Sequence, residues 1–266
     1  MNLRTSDLAI CAETSAFSIR DYSDQGLLGP VPRAEGSNYR FFDPRLIPQV
    51  YLIKALREMG LSAQQLADYG RERSPERAGE VLGRCSEQLR RDIARQQASL
   101  DMLRSYLSLI GEGRTASPGE IELRQLPARP LRRSSLETLG GRLSPAQRLR
   151  SAFGDIRQNG NAGCPLGFAW RDFFDFMEQP DQPTLLVSYD PQGPDARPAG
   201  DYLVGTQHCY YGEMGPLPRR MFEYALHGGM EFTGPAYTVY LLDAASVTGA
   251  EEYLMQVTVG ITRNAI

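Results

Sequence analysis

Between residues 75 and 110, Leu89, Ile93, Gln96, Leu100, Leu103, Leu107 and Ile110 fall at alternating four- and three-residue steps. That spacing is the seam of a two-stranded coiled coil, and the Arg, Glu, Gln, Asp and Ser residues between them form the polar faces of the same helix. One narrow apolar stripe cannot bury itself. Either the chain's own core or a second copy of the helix covers it, and a stripe about three heptads long with polar flanks favours the second copy. Gln96 places a polar side chain in the seam, where such a residue fixes register at some cost in stability. The helix separates a head from a tail, and in a dimer each is present twice.

In the head, Leu3, Leu8, Ala9 and Ala12 predict a short helix. Ser15 caps a second, which carries Ile19, Arg20 and Tyr22 and stops at Gly26. Two short helices joined by a tight turn are a helix-turn-helix candidate. Residues 30–38 break regular structure, and 39–42 read as a short strand. Asp43-Pro44 opens a third helix with Val50, Ile53, Leu56 and Met59 on one face; Gly60 ends it and Ser62 caps a fourth. Residues 111–119 read as a linker by composition. In the tail, strands are expected at 121–126, from 131, at 166–170, at 184–189, from 202, at 237–242 and at 253–261. Helices open at Ser144-Pro145 and at Pro216. Phe173, Phe174 and Phe176 read as an apolar loop before Pro180: a lid, a partner patch or plain core. The second half of the tail repeats the element order of the first.

The order Leu8-Ala9, Ser15, Arg20-Asp21-Tyr22, Gly26-Leu27-Leu28, Pro30, Asn38-Tyr39-Arg40, Asp43, Ile53 and Leu56-Arg57-Glu58-Met59-Gly60 resembles the winged-helix head of MerR-family transcription regulators. In the tail, Pro198-Ala199-Gly200-Asp201-Tyr202, Tyr211-Gly212, the run from Gly234-Pro235 to Leu242 with Asp243, and Glu252-Tyr253 resemble the GyrI-like effector-binding domain. The two resemblances imply an α+β multidomain chain. A winged helix-turn-helix DNA-binding domain would occupy 1–74 and a coiled-coil dimerisation helix 75–111. An antiparallel-sheet GyrI-like domain would occupy 120–266, with two helices on one face and a ligand cavity on the other. This is the arrangement of multidrug-sensing regulators. It implies a homodimer that binds promoter DNA and a small-molecule effector and meets RNA polymerase at the promoter. Activation would come from untwisting or bending a promoter whose spacer is too long. The DNA contacts implied are Ser18, Arg20, Tyr22, Arg33, Tyr39, Arg40 and Lys54. An Arg on the second helix reaches phosphates or a guanine edge, and the others position the backbone.

A cavity for flat molecules needs aromatic walls. Phe168, Trp170, Tyr189, Tyr202, Tyr237 and Tyr240 lie on the strands expected to line it, and each also fits ordinary sheet packing. Strand alternation sends Tyr237 to one face and Thr238 and Tyr240 to the other. Thr238 stands near the position where many multidrug members of the resembled family carry a glutamate that neutralises a cationic drug. An uncharged residue there points to a neutral or anionic effector.

Composition adds limits. At 266 residues there is room for two modest cores, and 41% apolar with 23% charged residues is the balance of a soluble globular protein. No apolar run approaches the roughly 18 residues that cross a bilayer. No signal-peptide core follows Met1, so the cytoplasm and no membrane partner are expected. A net charge of -3, with as many acids as bases over residues 1–60, makes a weak nucleic-acid footprint. Asp21 on the second helix adds a repulsive charge. Cys11, Cys85, Cys164 and Cys209 form no CxxC, so no disulfide framework, metal or other cofactor is expected. Two other readings stay open. Arg33, Arg40, Arg71 and Arg73 with Tyr39 could hold and stack a cyclic dinucleotide such as cyclic di-GMP. Some GyrI-like domains hydrolyse small electrophiles, and His208, Cys209 and Glu213 offer a nucleophile and a base. Adjacent strand residues face opposite sides, which argues against catalysis here, and no enzyme activity is expected.

Overall fold

The computed structural model describes residues 2–29, 39–71, 74–136, 144–159, 163–210 and 213–263. The chain divides into two compact units, Met1–Arg95 and Gln96–Ile266.

The first unit opens with strand β1 (Leu3–Arg4), which pairs antiparallel with β2 (Phe41–Phe42). Helix α1 (Thr5–Cys11) therefore starts later than the apolar spacing predicts, because Leu3 is spent on the ladder to Phe42. Helix α2 (Ala16–Asp24) is capped by Ser15, whose hydroxyl accepts from the Ser18 amide at 2.9 Å. Before α3 (Ile47–Glu58), Asp43 caps a short 3-10 turn. Hydrogen bonds from Arg45 hold its carboxyl at about 2. Ser62 and Gln65 form a reciprocal capping box at the start of α4 (Ala63–Arg71). Leu8, Ile19, Leu27, Phe42, Ile53 and Leu56 fill the core between these helices, and Val81 and Cys85 from the start of the next helix complete it.

Helix α5 runs Pro75–Thr115. It passes through Gly111 and Gly113, where composition predicts a linker. Within the second unit, a Cβ on Gly113 would lie 2.7 Å from Leu242 Cγ, so the glycine lets the helix approach the sheet closely. Leu109 is buried against that sheet, whereas Leu89, Ile93, Leu100, Leu103 and Leu107 are exposed, Leu107 by 68%. The heptad seam is uncovered within the single chain.

In the second unit an eight-stranded antiparallel sheet has the order β3-β8-β10-β9-β5-β6-β4-β7. The elements are β3 (Ile121–Leu126), β4 (Arg129–Ser135), α6 (Pro145–Asn159), β5 (Leu166–Trp170), α7 (Phe173–Glu178) and β6 (Leu185–Ser188). They continue with β7 (Asp195–Arg197), β8 (Gly200–His208), α8 (Leu217–His227), β9 (Met230–Leu242) and β10 (Leu254–Arg263). Apart from α7 the second half repeats the first, and the strand order reads as its own reverse when β3, β4, β5 and β6 are exchanged for β7, β8, β9 and β10. One ladder ties the ends of this order together. β3 pairs with β8 from Ile121↔Gly205 to Leu126↔Gly200, and β4 pairs with β7 in unchanged register from Arg129↔Arg197 to Leu131↔Asp195. Two Pro-Ala corners, Pro127-Ala128 and Pro198-Ala199, face each other at the break. Because β4 also pairs with β6, the sheet curls into a cup.

Alternation sorts the strand residues. Met255, Val257, Val259, Leu203 and Trp170 bury on the convex face under α7 and α8, and Leu186 and Phe168 meet α6 there. The Phe173–Phe176 segment is thus a helix on this face rather than a loop, capped by Asp172 accepting from the Asp175 amide at 2.8 Å. Its Phe173 stacks on Phe232 with centroids 3.9 Å apart. The convex face so carries α7 besides the two helices expected. Tyr189, Tyr237, Val239, Leu241 and Leu254 turn to the concave face, where Leu109 of α5 packs on them. Among the described residues no helix is long and apolar enough to cross a membrane.

Candidate functional site

Each unit carries a candidate site. In the first, the start of α1, the exposed side of α2 and the residues leading into β2 enclose a groove of about 680 Å³ lined by Arg4, Thr5, Ser6, Arg20, Tyr39 and Arg40, with Ala16 and Asp24 completing it. Arg20 is exposed on α2. Arg40 donates to the Arg20 carbonyl at 3.4 Å and pairs with Asp24 at 2.5 Å, which fixes its guanidinium beside the helix. Tyr39 is 66% exposed, with the Arg4 guanidinium 5.8 Å from its ring centroid. Three guanidiniums with one carboxylate, edged by hydroxyls, match the chemistry that grips a phosphodiester backbone. Sequence reasoning brings Arg20, Tyr39 and Arg40 to this groove but misses Arg4, whose position depends on the Arg4↔Phe41 pairing.

The other expected DNA contacts lie elsewhere. Tyr22 is 3% exposed and belongs to the core, with Arg57 over its ring at 5.8 Å. Ser18 bonds the Ser15 hydroxyl at 2.9 Å. Lys54, on α3, donates to the Glu13 carbonyl at 3.2 Å. Arg33 lies outside the described residues, as does Arg73. Asp21 turns away from the groove: it accepts from Gln25 at 2.7 Å and pairs with Arg57 at 3.6 Å, so its charge is met inside the fold.

In the second unit, the concave face and the last turns of α5 enclose a cavity of about 390 Å³. Arg104, Ser105, Ser108 and Glu112 come from α5, Arg124 and Leu126 from β3, Arg129 from β4, and Arg197, Val239, Gln256 and Thr258 from the facing strands; Pro127, Ala128, Pro130 and Tyr189 complete the wall. Its size is that of a small-ligand site. Burial pushes the Tyr189 phenol up to about 12 against the pull of Arg129 and Arg197, so it stays protonated and donates to the Thr238 carbonyl at 3.2 Å. Tyr202 lies under Arg197 at 4.5 Å and donates to the Pro198 carbonyl at 2.8 Å. Burial raises Tyr237 likewise.

Of the aromatic residues expected at the ligand, Tyr189, Tyr202 and Tyr237 share the concave side, and Tyr189 lines the cavity. Phe168, Trp170 and Tyr240 pack on the opposite face. The Thr238 hydroxyl accepts from the Phe168 amide at 3.3 Å on that same side. Sequence reasoning did not single out Arg124, Arg129 or Arg197; the signal available was the recurrence of Ala-Arg-Pro at 128–130 and 196–198. No cluster of metal ligands exists among the described residues. Burial pushes the Cys209 thiol up, and it contacts Tyr240 and Met255 while the ring of His208 turns to the Tyr253 carbonyl at 3.2 Å. That arrangement puts no imidazole at the thiol.

Two short helices around a capped turn, tied to a two-stranded ladder and edged by a basic groove, make the head a helix-turn-helix domain of the DNA-binding kind. Residues 3–72 match the sequence profile of the MerR HTH family regulatory protein, and the chain carries a MerR-family helix-turn-helix domain at its amino end. No curated protein matches the chain. Among solved structures, the chain is similar to HiNmlR, a MerR family regulator lacking the sensor domain, bound to promoter DNA. The identity is 22%, over 43% of this chain and 94% of that one, with a TM-score of 0.37. It is similar to EcmrR in a cryo-EM complex with DNA at 13% identity, over 98% and 100% of the two chains, with a TM-score of 0.37. The EcmrR C-terminal domain aligns at 11% identity over 55% of this chain and 98% of that one, with a TM-score of 0.39. At TM-scores this low these likenesses assign neither fold nor function.

Proposed function

We propose that the protein is an effector-responsive transcription regulator that works as a homodimer. The head grips promoter DNA, the exposed seam of α5 zips two copies together, and a GyrI-like tail holds a small molecule in its concave cavity. Effector binding shifts the pair of heads between two arrangements and raises transcription by changing promoter geometry. The observation that carries this reading is the groove of Arg4, Arg20 and Arg40 on a domain that matches a MerR helix-turn-helix profile. The cavity supports the coupling, because Ser105, Ser108 and Glu112 in its wall belong to the proposed dimer helix itself.

Fluorescence anisotropy with duplex DNA from upstream of the protein's own gene tests the head. Arg20→Ala is expected to weaken binding by about 1–3 kcal/mol, roughly fivefold to 150-fold, and to flatten the salt dependence. Lys54→Ala, whose ammonium is held by the Glu13 carbonyl, should change binding much less. An Arg20→Ala protein that binds this DNA like wild type contradicts the reading of the groove.

A further inference from the structure

We infer that the effector is a small organic anion, a flat apolar body bearing a carboxylate, gripped between Arg129 and Arg197. The inference rests on the reading of the concave cavity as the effector site and adds the chemistry of what fills it.

Arg129 and Arg197 are direct cross-strand partners in the β4–β7 ladder, so both side chains leave the sheet on one side. Like charges directly opposite each other on a sheet repel. Both line the cavity, and among the described residues neither forms an ion pair. The remaining guanidiniums of the wall differ: Arg124 pairs with Glu122, and Arg104 pairs with Asp101 at 3.4 Å. Glu112 is the carboxylate of the wall, and it makes no ion pair with Arg129 or Arg197.

Arg197 is 5% exposed. One of its terminal nitrogens donates to the Pro127 carbonyl at 3.1 Å, while the other, Nη1, is buried with no hydrogen-bond partner. A buried guanidinium with an orphaned N–H is costly unless an anion meets it. Each guanidinium also lies over a tyrosine at 4.5 Å, Arg129 on Tyr189 and Arg197 on Tyr202. Stacking occupies the faces and leaves the N–H edges for a planar, bidentate acceptor, and a carboxylate has that geometry. The apolar body has Leu126, Pro130 and Val239 to lie against, and about 390 Å³ accommodates a fused two-ring compound.

Calorimetric titration of the full chain with 2-naphthoate, its neutral amide 2-naphthamide, and 2-naphthylmethylammonium separates the possibilities. The carboxylate is expected to bind about tenfold or more tighter than the amide, and the ammonium more weakly than both. Arg197→Gln and Arg129→Gln should each weaken the carboxylate far more than the amide, so that the preference for the carboxylate is lost. Arg129 is only half-buried, so its variant serves if Arg197→Gln does not fold. An amide or ammonium that binds as tightly as the carboxylate overturns the anionic effector and leaves the cavity as the ligand site. Failure of all three to bind overturns both.

Discussion

Leu100→Glu combined with Leu107→Glu is expected to yield a folded monomer that has lost operator binding by about 10²–10⁴-fold. Both leucines are exposed on α5, so their replacement removes little packing within the chain and adds charge to an already hydrated face. In a dimer the same positions face a second helix, where two buried glutamates per copy oppose their counterparts and lose their hydration. The DNA effect follows from linkage: two tethered heads bind a pseudo-palindrome with the effective concentration set by the rod, and separated heads bind one half-site each. Light scattering on a sizing column reads the mass, circular dichroism the fold, and anisotropy the affinity. A variant that stays dimeric excludes the seam as the interface.

Gly167→Ala should destabilise the second unit by about 3 kcal/mol or more, because overpacking against backbone cannot relax by moving a side chain. Gly167 lies on β5, and a Cβ there would stand 1.9 Å from the Thr238 carbonyl oxygen and 3.1 Å from the ring of Tyr189. Its ladder partner on β9 is Val239, and β5–β9 is the seam at which the two repeats of the sheet meet. In a unit of this size the loss corresponds to a fall of roughly 6–12 °C in its melting temperature. Gly83→Ala is the control. Gly83 lies inside α5 with open space around its missing Cβ, so alanine there should stabilise by about 0.5–1 kcal/mol through helix propensity alone. Differential scanning calorimetry distinguishes the two, and a Gly167→Ala chain that melts with wild type contradicts the close approach of β5 to β9.

Much of the fold was legible because its signals are local. Ser15, Asp43 and Ser62 announce helix starts by their own hydrogen-bonding chemistry, and period-two alternation marks β3, β5 and β10. What escaped depends on partners distant in the chain. The extension of α5 through Gly113 is set by Leu242, against the low helix propensity of glycine. Strand β9 begins at Met230, well before the residues that predict it. Gly234, at φ 65°, and Pro235 resemble a break but sit at a register shift opposite Val259 and Gly260 that lets the strand continue. The Phe173–Phe176 run reads as a loop with a lid, a partner patch or plain core all open to it, and its helix and its packing emerge only when Phe232 supplies the stacking partner. The cavity was half visible. Aromatic residues stand out in a sequence, and the period of a strand separates Tyr237 from Tyr240. Nothing local brings Arg129 opposite Arg197, since that pairing needs the register that β3 and β8 carry around the Pro-Ala corners.

The proposed function depends on two chains associating along α5, and sedimentation equilibrium of the wild-type protein at micromolar concentration tests that association most directly. A dimer mass that persists on dilution through that range is expected. A single-subunit mass there would contradict the coupling of effector to promoter.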